Sequence, residues 1–218
     1  MVQHTYANVL AEELGRFQEA MPYRNRAVEM EPKGWTYQGL GNTLTSLGRY
    51  DEASAAYSRS TSLAPHESDY WANWAWGLKR AGRYDEAIAK ARKALELDPR
   101  NGSARNDIAK SLEGLGRYRE ALEEHKAAAA LGDTASMASL AFLYSHGRGV
   151  ETNYAEAARW ATVSAERGDP LGMVQLAILY ERGQGVPKSV PQATRWFRSA
   201  AEAGNEDGRR ELARITGN

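Results

Sequence analysis

Apolar residues along this chain recur three and four positions apart, the spacing that places side chains on one face of an α-helix. The segment 68–81 carries one such face, formed by Trp71, Trp74, Ala75 and Leu78. A second face follows, formed by Ala87, Ile88, Ala91, Ala94 and Leu95. Gly82 lies between the two faces and can adopt the left-handed conformation that ends a helix. The pattern therefore predicts two helices joined by a tight turn, the second of them closed by Pro99.

This two-helix pattern repeats with a nearly constant period. A string of glycine, arginine, an aromatic residue, any residue, glutamate and alanine begins at Gly15, Gly48, Gly82 and Gly116, with spacings of 33, 34 and 34 residues. Small residues recur where the two helices of each unit would cross: Ala20, Ala53, Ala87 and Ala121 on the second helix, and Gly41, Ala75 and Ala109 on the first. A larger side chain there would push the helices apart, so we expect these positions to be buried.

A different repeat begins after Asp133. The strings LAFLYSHGRGV and LAILYERGQGV end at Val150 and Val186, which are 36 residues apart, and Trp160 and Trp196 show the same spacing. The glycines in these strings follow helices and lack the lysine of a phosphate-binding loop, so they predict tight turns. The chain thus contains four units of about 34 residues and then two of 36.

The four N-terminal units resemble tetratricopeptide repeats. The third unit matches the motif of that family at Trp71, Trp74, Ala75, Leu78, Gly82, Tyr84, Ala87, Ala94 and Pro99. The first unit departs from it at Asn8, where a small residue is usual, and at Arg24, where an aromatic residue is usual. Such departures are typical of a capping repeat. The two 36-residue units resemble Sel1-like repeats, the first through Leu140, Tyr144, Gly147, Gly149, Val150, Ala157, Trp160 and Gly168.

These resemblances imply an all-α fold, a right-handed α-solenoid of helix-turn-helix repeats. We expect four tetratricopeptide-like repeats over residues 1–133, two Sel1-like repeats over 134–204, and a capping helix and tail over 205–218. No linker rich in proline or serine separates the two repeat types, so we expect one continuous superhelix. In the capping helix, Leu212 and Ile215 are expected to cover the last repeat.

Charge narrows the range of functions. Lys and Arg total 28 residues and Asp and Glu also total 28, so the formal net charge is zero. Residues 1–133 carry 18 basic and 19 acidic side chains, and residues 134–218 carry 10 and 9. With no basic half to bind a phosphate backbone, we expect no nucleic-acid partner. The same balance argues against an RNA-binding helical repeat.

Other features of the composition narrow the range of functions further. The sequence contains no cysteine, which excludes disulfides, thiolate metal sites and a cysteine nucleophile. It has no apolar run near the roughly 20 residues that span a bilayer, and its N-terminus lacks the pattern of a signal peptide. We therefore expect a cytoplasmic protein with no membrane contact.

No catalytic or metal-binding constellation is recognisable. The four histidines, His4, His66, His125 and His146, fall in different units, and no pair has the spacing of a helical metal site. His125 occupies a helix-packing position and is expected in the core. No nucleophile elbow of the Gly-x-Ser-x-Gly type occurs. We expect neither an enzyme, nor a cofactor, nor a metal site.

The resemblance to tetratricopeptide repeats implies that the first helix of each hairpin lines a concave face where peptides bind. The candidate groove residues are Gln38, Asn42, Asp69, Asn73, Trp76, Arg80, Asn106, Lys110, Phe142 and Ile178. Trp76 and Phe142 lie outside the core stripe of their helices and suit an apolar anchor. The asparagines can donate and accept hydrogen bonds with a peptide backbone. The alternative is that Trp76 packs on Tyr70 or on the next hairpin.

Some tetratricopeptide domains grip the C-terminal carboxylate of chaperones, and this chain meets their pattern only in part. Asn42 and Asn73 fall on the two asparagine positions, but the cation positions hold Gln38, Ser103 and Asp107. Without those cations a doubly charged carboxylate terminus lacks its partners. The remaining groove cations are opposed by acidic residues, Arg80 by Asp69 and Lys110 by Asp107. We therefore expect a neutral or mixed-charge peptide.

The sequence as a whole predicts a non-catalytic protein-interaction module that binds a peptide or protein segment in the concave groove. We expect a monomer or a weak homodimer. The alternative is a structural protein that self-associates through the ends of the solenoid or its convex face. Trp35, Val174 and Ile178 are the candidate contacts for that alternative.

Overall fold

The computed structural model describes residues 2–217, and the side chains of residues 2–4 and 12 lie outside that description. Residues 2–217 form thirteen α-helices and one π-helical segment, with no β-strand, which confirms the predicted all-α fold. The first part of the chain contains α1 (Val2–Asn8), the π-helical segment (Val9–Glu13), α2 (Phe17–Met30), α3 (Gly34–Ser46), α4 (Tyr50–Leu63), α5 (Ser68–Arg80), α6 (Tyr84–Leu97) and α7 (Gly102–Gly114). The remainder contains α8 (Tyr118–Ala130), α9 (Thr134–His146), α10 (Tyr154–Glu166), α11 (Pro170–Arg182), α12 (Val190–Glu202) and α13 (Glu206–Thr216).

The chain divides into two compact units, Met1–Leu115 and Gly116–Asn218, which we call the N-terminal and C-terminal units. Consecutive helices pack against each other within each unit, as the repeat pattern predicts. The N-terminal unit holds α1 to α7 and the C-terminal unit holds α8 to α13. The single continuous superhelix stays a prediction.

The repeated glycine-arginine string forms the turn inside each hairpin. Its glycines adopt positive φ angles of 63° at Gly15 and 74° at Gly48, Gly82 and Gly116, as predicted. The arginine that follows precedes the next helix and bonds the glutamate in its first turn. Arg49 donates from Nε and Nη2 to the two carboxylate oxygens of Glu52, both at 2.7 Å. These pairs are exposed and each lies at the start of a different helix, so each contributes little stability.

Close helix crossings form the core of the N-terminal unit. Ala53 and Ala87 are 1% and 0% exposed, as the small-residue pattern predicts. The aromatic ring of Tyr57 fills the crossing between two neighbouring hairpins. A Cβ atom added to Gly41 would lie 2.6 Å from Cε1 of this ring, and one added to Gly77 would lie 2.7 Å from Cε2. The ring therefore fits only because a glycine stands at each of its edges.

The first hairpin departs from the repeat motif at two positions that contact each other. Arg24 is 1% exposed, and its Nη1 donates to Oδ1 of Asn8 at 2.6 Å. Its Nε donates to Oγ1 of Thr43 on α3 at 3.1 Å. The amide at position 8 supplies the acceptor that a buried guanidinium needs. The terminal hairpin thus replaces an apolar contact by a polar one.

The glycine-rich loops of the C-terminal unit are tight turns, as predicted. Gly147 and Gly183 end α9 and α11 with φ angles of 63° and 69°. A Cβ atom on Gly149 would overlap the backbone at Tyr118, where α8 begins. A Cβ atom on Gly185 would overlap the backbone at Tyr154, where α10 begins. Each loop therefore lies directly against the start of the second helix of the preceding hairpin.

The C-terminal end of the chain forms the predicted capping helix. Asn205 accepts a hydrogen bond from the backbone N–H of Gly208 at 2.8 Å and so caps α13. Leu212 and Ile215 pack against the buried cluster around Phe197, which confirms their predicted position. His125 is also buried as predicted, with its Nδ1 3.0 Å from Oγ of Ser136. The side chain of His4 lies outside the described residues.

Ala87 provides the test of the helix crossing. Because Ala87 is fully buried, Ala87→Leu should overpack the α5–α6 hairpin and lower the free energy of unfolding by about 1–3 kcal/mol. The matched control is Ala89→Leu, two residues later on the exposed side of α6, which should stay within about 0.5 kcal/mol of the wild type. Chemical denaturation measures both. Equal stability of the two variants would show that the crossing is assigned wrongly.

Tyr57 predicts a pH dependence. Burial raises the pKa of Tyr57 well above its ordinary value of 10.0. Above pH 10 the unfolded chain therefore loses this proton while the folded chain keeps it, so the free energy of unfolding should fall as pH rises. Tyr57→Phe removes this proton. The variant should be less stable than the wild type by about 1 kcal/mol at neutral pH.

The difference in free energy of unfolding between the wild type and Tyr57→Phe should shrink when denaturation is measured at alkaline pH. The wild type should lose up to about 1.4 kcal/mol more than Tyr57→Phe for each pH unit above 10. Tyr6→Phe, at a ring that is about half exposed, should keep the slope of the wild type because Tyr57 is intact. A constant difference between wild type and Tyr57→Phe across this range would contradict the assignment.

Candidate binding cavity of the N-terminal unit

A cavity of about 420 Å³ lies among α3, α5 and α7. It is lined by Asn42, Ala72, Asn73, Trp76, Lys79, Ser103, Asn106 and Asp107. Four of the predicted groove residues therefore come together: Asn42, Asn73, Trp76 and Asn106. Each hairpin contributes through its first helix, because residues one repeat apart, such as Asn42 and Trp76, occupy the same position on successive first helices.

The core of the unit orients Asn42. The hydroxyl of Tyr57 donates to Oδ1 of Asn42 at 2.9 Å, and it lies 3.2 Å from Oγ1 of Thr45. Since Oδ1 is held by this bond, Nδ2 is the group that Asn42 can offer to a ligand in the cavity. A donor fixed by a buried ring needs little ordering when a ligand binds.

Asn106 lines the same cavity and is only partly buried. Its Oδ1, however, is buried away from solvent and has no hydrogen-bond partner among the described residues, so this atom is not accessible to a ligand in the cavity.

An ion pair balances the charge of the cavity. Nζ of Lys79 on α5 contacts Oδ1 of Asp107 on α7, and their side chains are 22% and 10% exposed. Asp107 is thus opposed by Lys79, and Lys110 instead pairs with Glu113 at 3.3 Å, contrary to the sequence expectation. Lys79 lies one turn after Trp76, which is the signal that could have identified it.

Trp76 is half-buried at the edge of the cavity. The guanidinium carbon of Arg80 lies 5.9 Å from the centroid of its ring, which places the predicted cation over the predicted aromatic. Tyr70, the alternative packing partner, lies instead against the backbone of Gly34. Part of the Trp76 side chain remains exposed, and the residue borders the cavity.

Four of the predicted groove residues in the N-terminal unit do not line the cavity: Arg80, Lys110, Gln38 and Asp69. Gln38 is only 7% exposed, and its Oε1 accepts from Oγ of Ser60 at 3.2 Å, because the small serine on α4 leaves room for the amide to turn inward. Asp69 is exposed at the start of α5 and accepts from Nδ2 of Asn101 at 3.2 Å. The prediction that Gln38 and Asp69 line the groove therefore does not hold for this cavity.

The other two predicted groove residues lie in the C-terminal unit. Phe142 is half-buried, with its ring centroid 4.1 Å from that of His146 and 5.1 Å from the guanidinium carbon of Arg148. Ile178 packs against the buried cluster that includes Phe197, beside the apolar residues of α13. Val174, the candidate contact for self-association, is only 7% exposed in that cluster. Val174 and Ile178 thus contribute to the packing of the C-terminal unit.

The described residues bring together no group of three histidine, aspartate or glutamate side chains that could hold a metal ion. Among the same residues, no helix combines the length and apolar character that crossing a membrane requires.

Comparison with protein families identifies both repeat types. The Sel1 repeat matches residues 134–169 and 170–205. The tetratricopeptide repeat matches residues 36–67 and 68–101. The first and fourth tetratricopeptide-like units of the sequence analysis lie outside these matches. Repeats of these two families generally mediate protein–protein interactions.

Solved structures share the fold. The chain is similar to a Sel1 repeat protein from Oxalobacter formigenes, with 23% identity, a TM-score of 0.69, and coverage of 99% of this chain and 90% of that one. It is also similar to a protective antigen of uropathogenic Escherichia coli strains displaying an SLR fold, with 28% identity and a TM-score of 0.63, covering 91% of this chain and 44% of that one. Yeast Tom70 matches with 16% identity and a TM-score of 0.74, covering 91% and 43%.

The chain spans less than half the length of the last two proteins. A comparison with curated proteins gave no match. The family matches and the shared fold agree with the repeat pattern and with the helices described above. The chain is therefore a helical-repeat protein in which tetratricopeptide repeats are followed by Sel1 repeats.

Proposed function

We propose that this protein is a non-catalytic interaction module whose N-terminal unit binds a peptide segment of a partner protein in the cavity among α3, α5 and α7. One observation carries the proposal: a half-buried tryptophan and three asparagines meet in one cavity. A peptide backbone has a carbonyl that can accept a hydrogen bond from Nδ2 of Asn42.

The charges of the cavity restrict the peptide. Lys79 and Asp107 neutralise each other, so the cavity offers no field of one sign. The residues that line the cavity offer a polyanionic segment no unopposed cation, so a neutral or mixed-charge segment suits them better. An apolar side chain of the peptide would pack on Trp76, in the role that aromatic anchors play in interfaces.

Direct binding measurements test this proposal. Peptides selected from a random display library on the full chain should bind Trp76→Ala more weakly by roughly 2 kcal/mol or more. They should bind Asn73→Ala more weakly by about 1 kcal/mol, through one lost hydrogen bond. Trp71→Ala is the matched control, because Trp71 stacks on Trp74 away from the cavity and should leave binding unchanged. Added salt should change these affinities little, since the cavity is charge-balanced.

Stability measurements on the same variants separate binding from folding. Trp76 is only half-buried, so Trp76→Ala should cost less free energy of unfolding than the roughly 3–5 kcal/mol lost with a fully buried aromatic. If Trp76→Ala unfolds the chain, Trp76 is a core residue and the proposal fails. It also fails if the selected peptides bind Trp76→Ala as tightly as the wild type.

A further inference from the structure

A second open space in the N-terminal unit is a groove of about 670 Å³ between α2 and α4 that is floored by α3. We call it the α2–α4 groove. Its apolar surface comes from Met21, Pro22, Tyr37, Leu40, Leu44 and Ala56. Leu40 lies two positions before Asn42 on α3, so the two side chains point to different sides of that helix. The groove is therefore distinct from the cavity around Trp76.

The next hairpin shows what fills the equivalent position. One repeat later, 34 residues on, Trp71 and Trp74 stand in place of Tyr37 and Leu40. Their rings stack with centroids 5.9 Å apart, and Nε1 of Trp74 donates to Oγ of Ser54 at 3.0 Å. Nζ of Lys90 lies 4.0 Å from the centroid of the Trp74 ring. Between α4 and α6 the indoles thus occupy the space that is open between α2 and α4.

The charged side chains also differ between the α2–α4 groove and the equivalent place between α4 and α6. In the next hairpin Lys93 pairs with Glu96 at 2.7 Å. The equivalent cation in the α2–α4 groove is Arg59, and the residue equivalent to Glu96 is Ser62. Arg59 is exposed and has no ion pair among the described residues. At these two positions the chain thus has Leu40 and Ser62, where the next hairpin has an indole and a carboxylate.

A position on α2 also lacks the negative charge that the equivalent position on α4 carries. Arg83 in the next hairpin contacts Asp51 at 3.5 Å as well as Glu86 at 2.7 Å. The residue equivalent to Asp51 is Gln18, so Arg49 retains only Glu52. The rim of the groove thus carries two arginines and one glutamate, and its net charge is positive. An anionic group on a ligand complements that charge.

Pro22 interrupts the backbone hydrogen bonding of α2 beside the groove. A proline has no N–H, so the carbonyl oxygen of Gln18 lacks the donor that position 22 would supply in an uninterrupted helix. Both residues line the groove. This carbonyl can accept a hydrogen bond from a peptide N–H or an indole N–H.

We propose that the α2–α4 groove docks a segment of a partner protein that presents an aromatic side chain next to an aspartate or glutamate. The aromatic ring lies on Leu40 and Met21, where the next hairpin has its own indoles. The carboxylate binds Arg59 in place of the missing glutamate. This inference is independent of the peptide site around Trp76, because the two sites share no residue.

Capped tetrapeptides test the proposal on the full chain, with amide chemical shifts as the readout. The first peptide contains tryptophan followed by glutamate between two alanines. The second has glutamine in place of the glutamate, and the third has alanine in place of the tryptophan. The first should shift amide resonances of α2 and α4. The second should bind about two- to fivefold more weakly, the range of an exposed ion pair, and the third should produce no shifts there.

Matched variants locate the contacts. Arg59→Gln should abolish the difference between the first two peptides, whereas Lys93→Gln, at the equivalent cation that already has Glu96, should preserve it. Ala55→Trp, at an exposed wall position, should block the groove, whereas Ala89→Trp, one repeat later, should not. All four positions are on the surface of α4 or α6, so the variants are expected to fold.

Three results would overturn the proposal. The first is the absence of shifts in α2 and α4 at millimolar peptide. The second is discrimination between glutamate and glutamine that survives Arg59→Gln. The third is a set of shifts confined to the residues around Trp76, which would reject this groove and leave the peptide site of the other cavity in place.

Discussion

The structure depends on how closely two helices can approach where they cross. At each crossing the approach is set by residues with no side chain or a single methyl group, and the space they leave is filled by one neighbour. Tyr57 is the clearest case, since its ring lies between Gly41 on α3 and Gly77 on α5. Its hydroxyl then donates to Asn42, which lines the cavity among α3, α5 and α7. The packing of the core and the orientation of a candidate binding group are therefore one interaction.

The sequence predicted the features that follow from period and turn chemistry. A positive φ angle is nearly restricted to glycine, so Gly15, Gly48 and Gly82 marked the hairpin turns before any coordinates were known. Burial of Ala53 and Ala87 followed from helical spacing in the same way. These properties are local, or they recur from one helical repeat to the next, so a single sequence is enough to predict them.

The details of the site depend on contacts between helices that spacing alone does not specify. Gln38 stands at a groove position by register, yet it turns toward Ser60 on the other helix of its own hairpin, 22 residues away. Ile178 shares its register with Trp76, but it packs against the buried cluster that includes Phe197. The role of Lys79 depends on Asp107 from the next hairpin. Register places a side chain on a face of its helix, and the neighbouring helices decide whether that side chain remains available.

The loops of the Sel1 repeats impose a condition on how the chain can be divided. Gly149 lies against the backbone at Tyr118, so the first Sel1 repeat is completed by α8, a helix that carries the tetratricopeptide-type string. Gly185 repeats this arrangement on α10 within the Sel1 repeats themselves. A fragment that starts at Thr134 would follow the family boundary but leave its first loop with nothing to close against. A fragment that starts at Gly116 keeps every loop with its supporting helix, so the unit of folding and the unit of sequence repetition are offset by one helix.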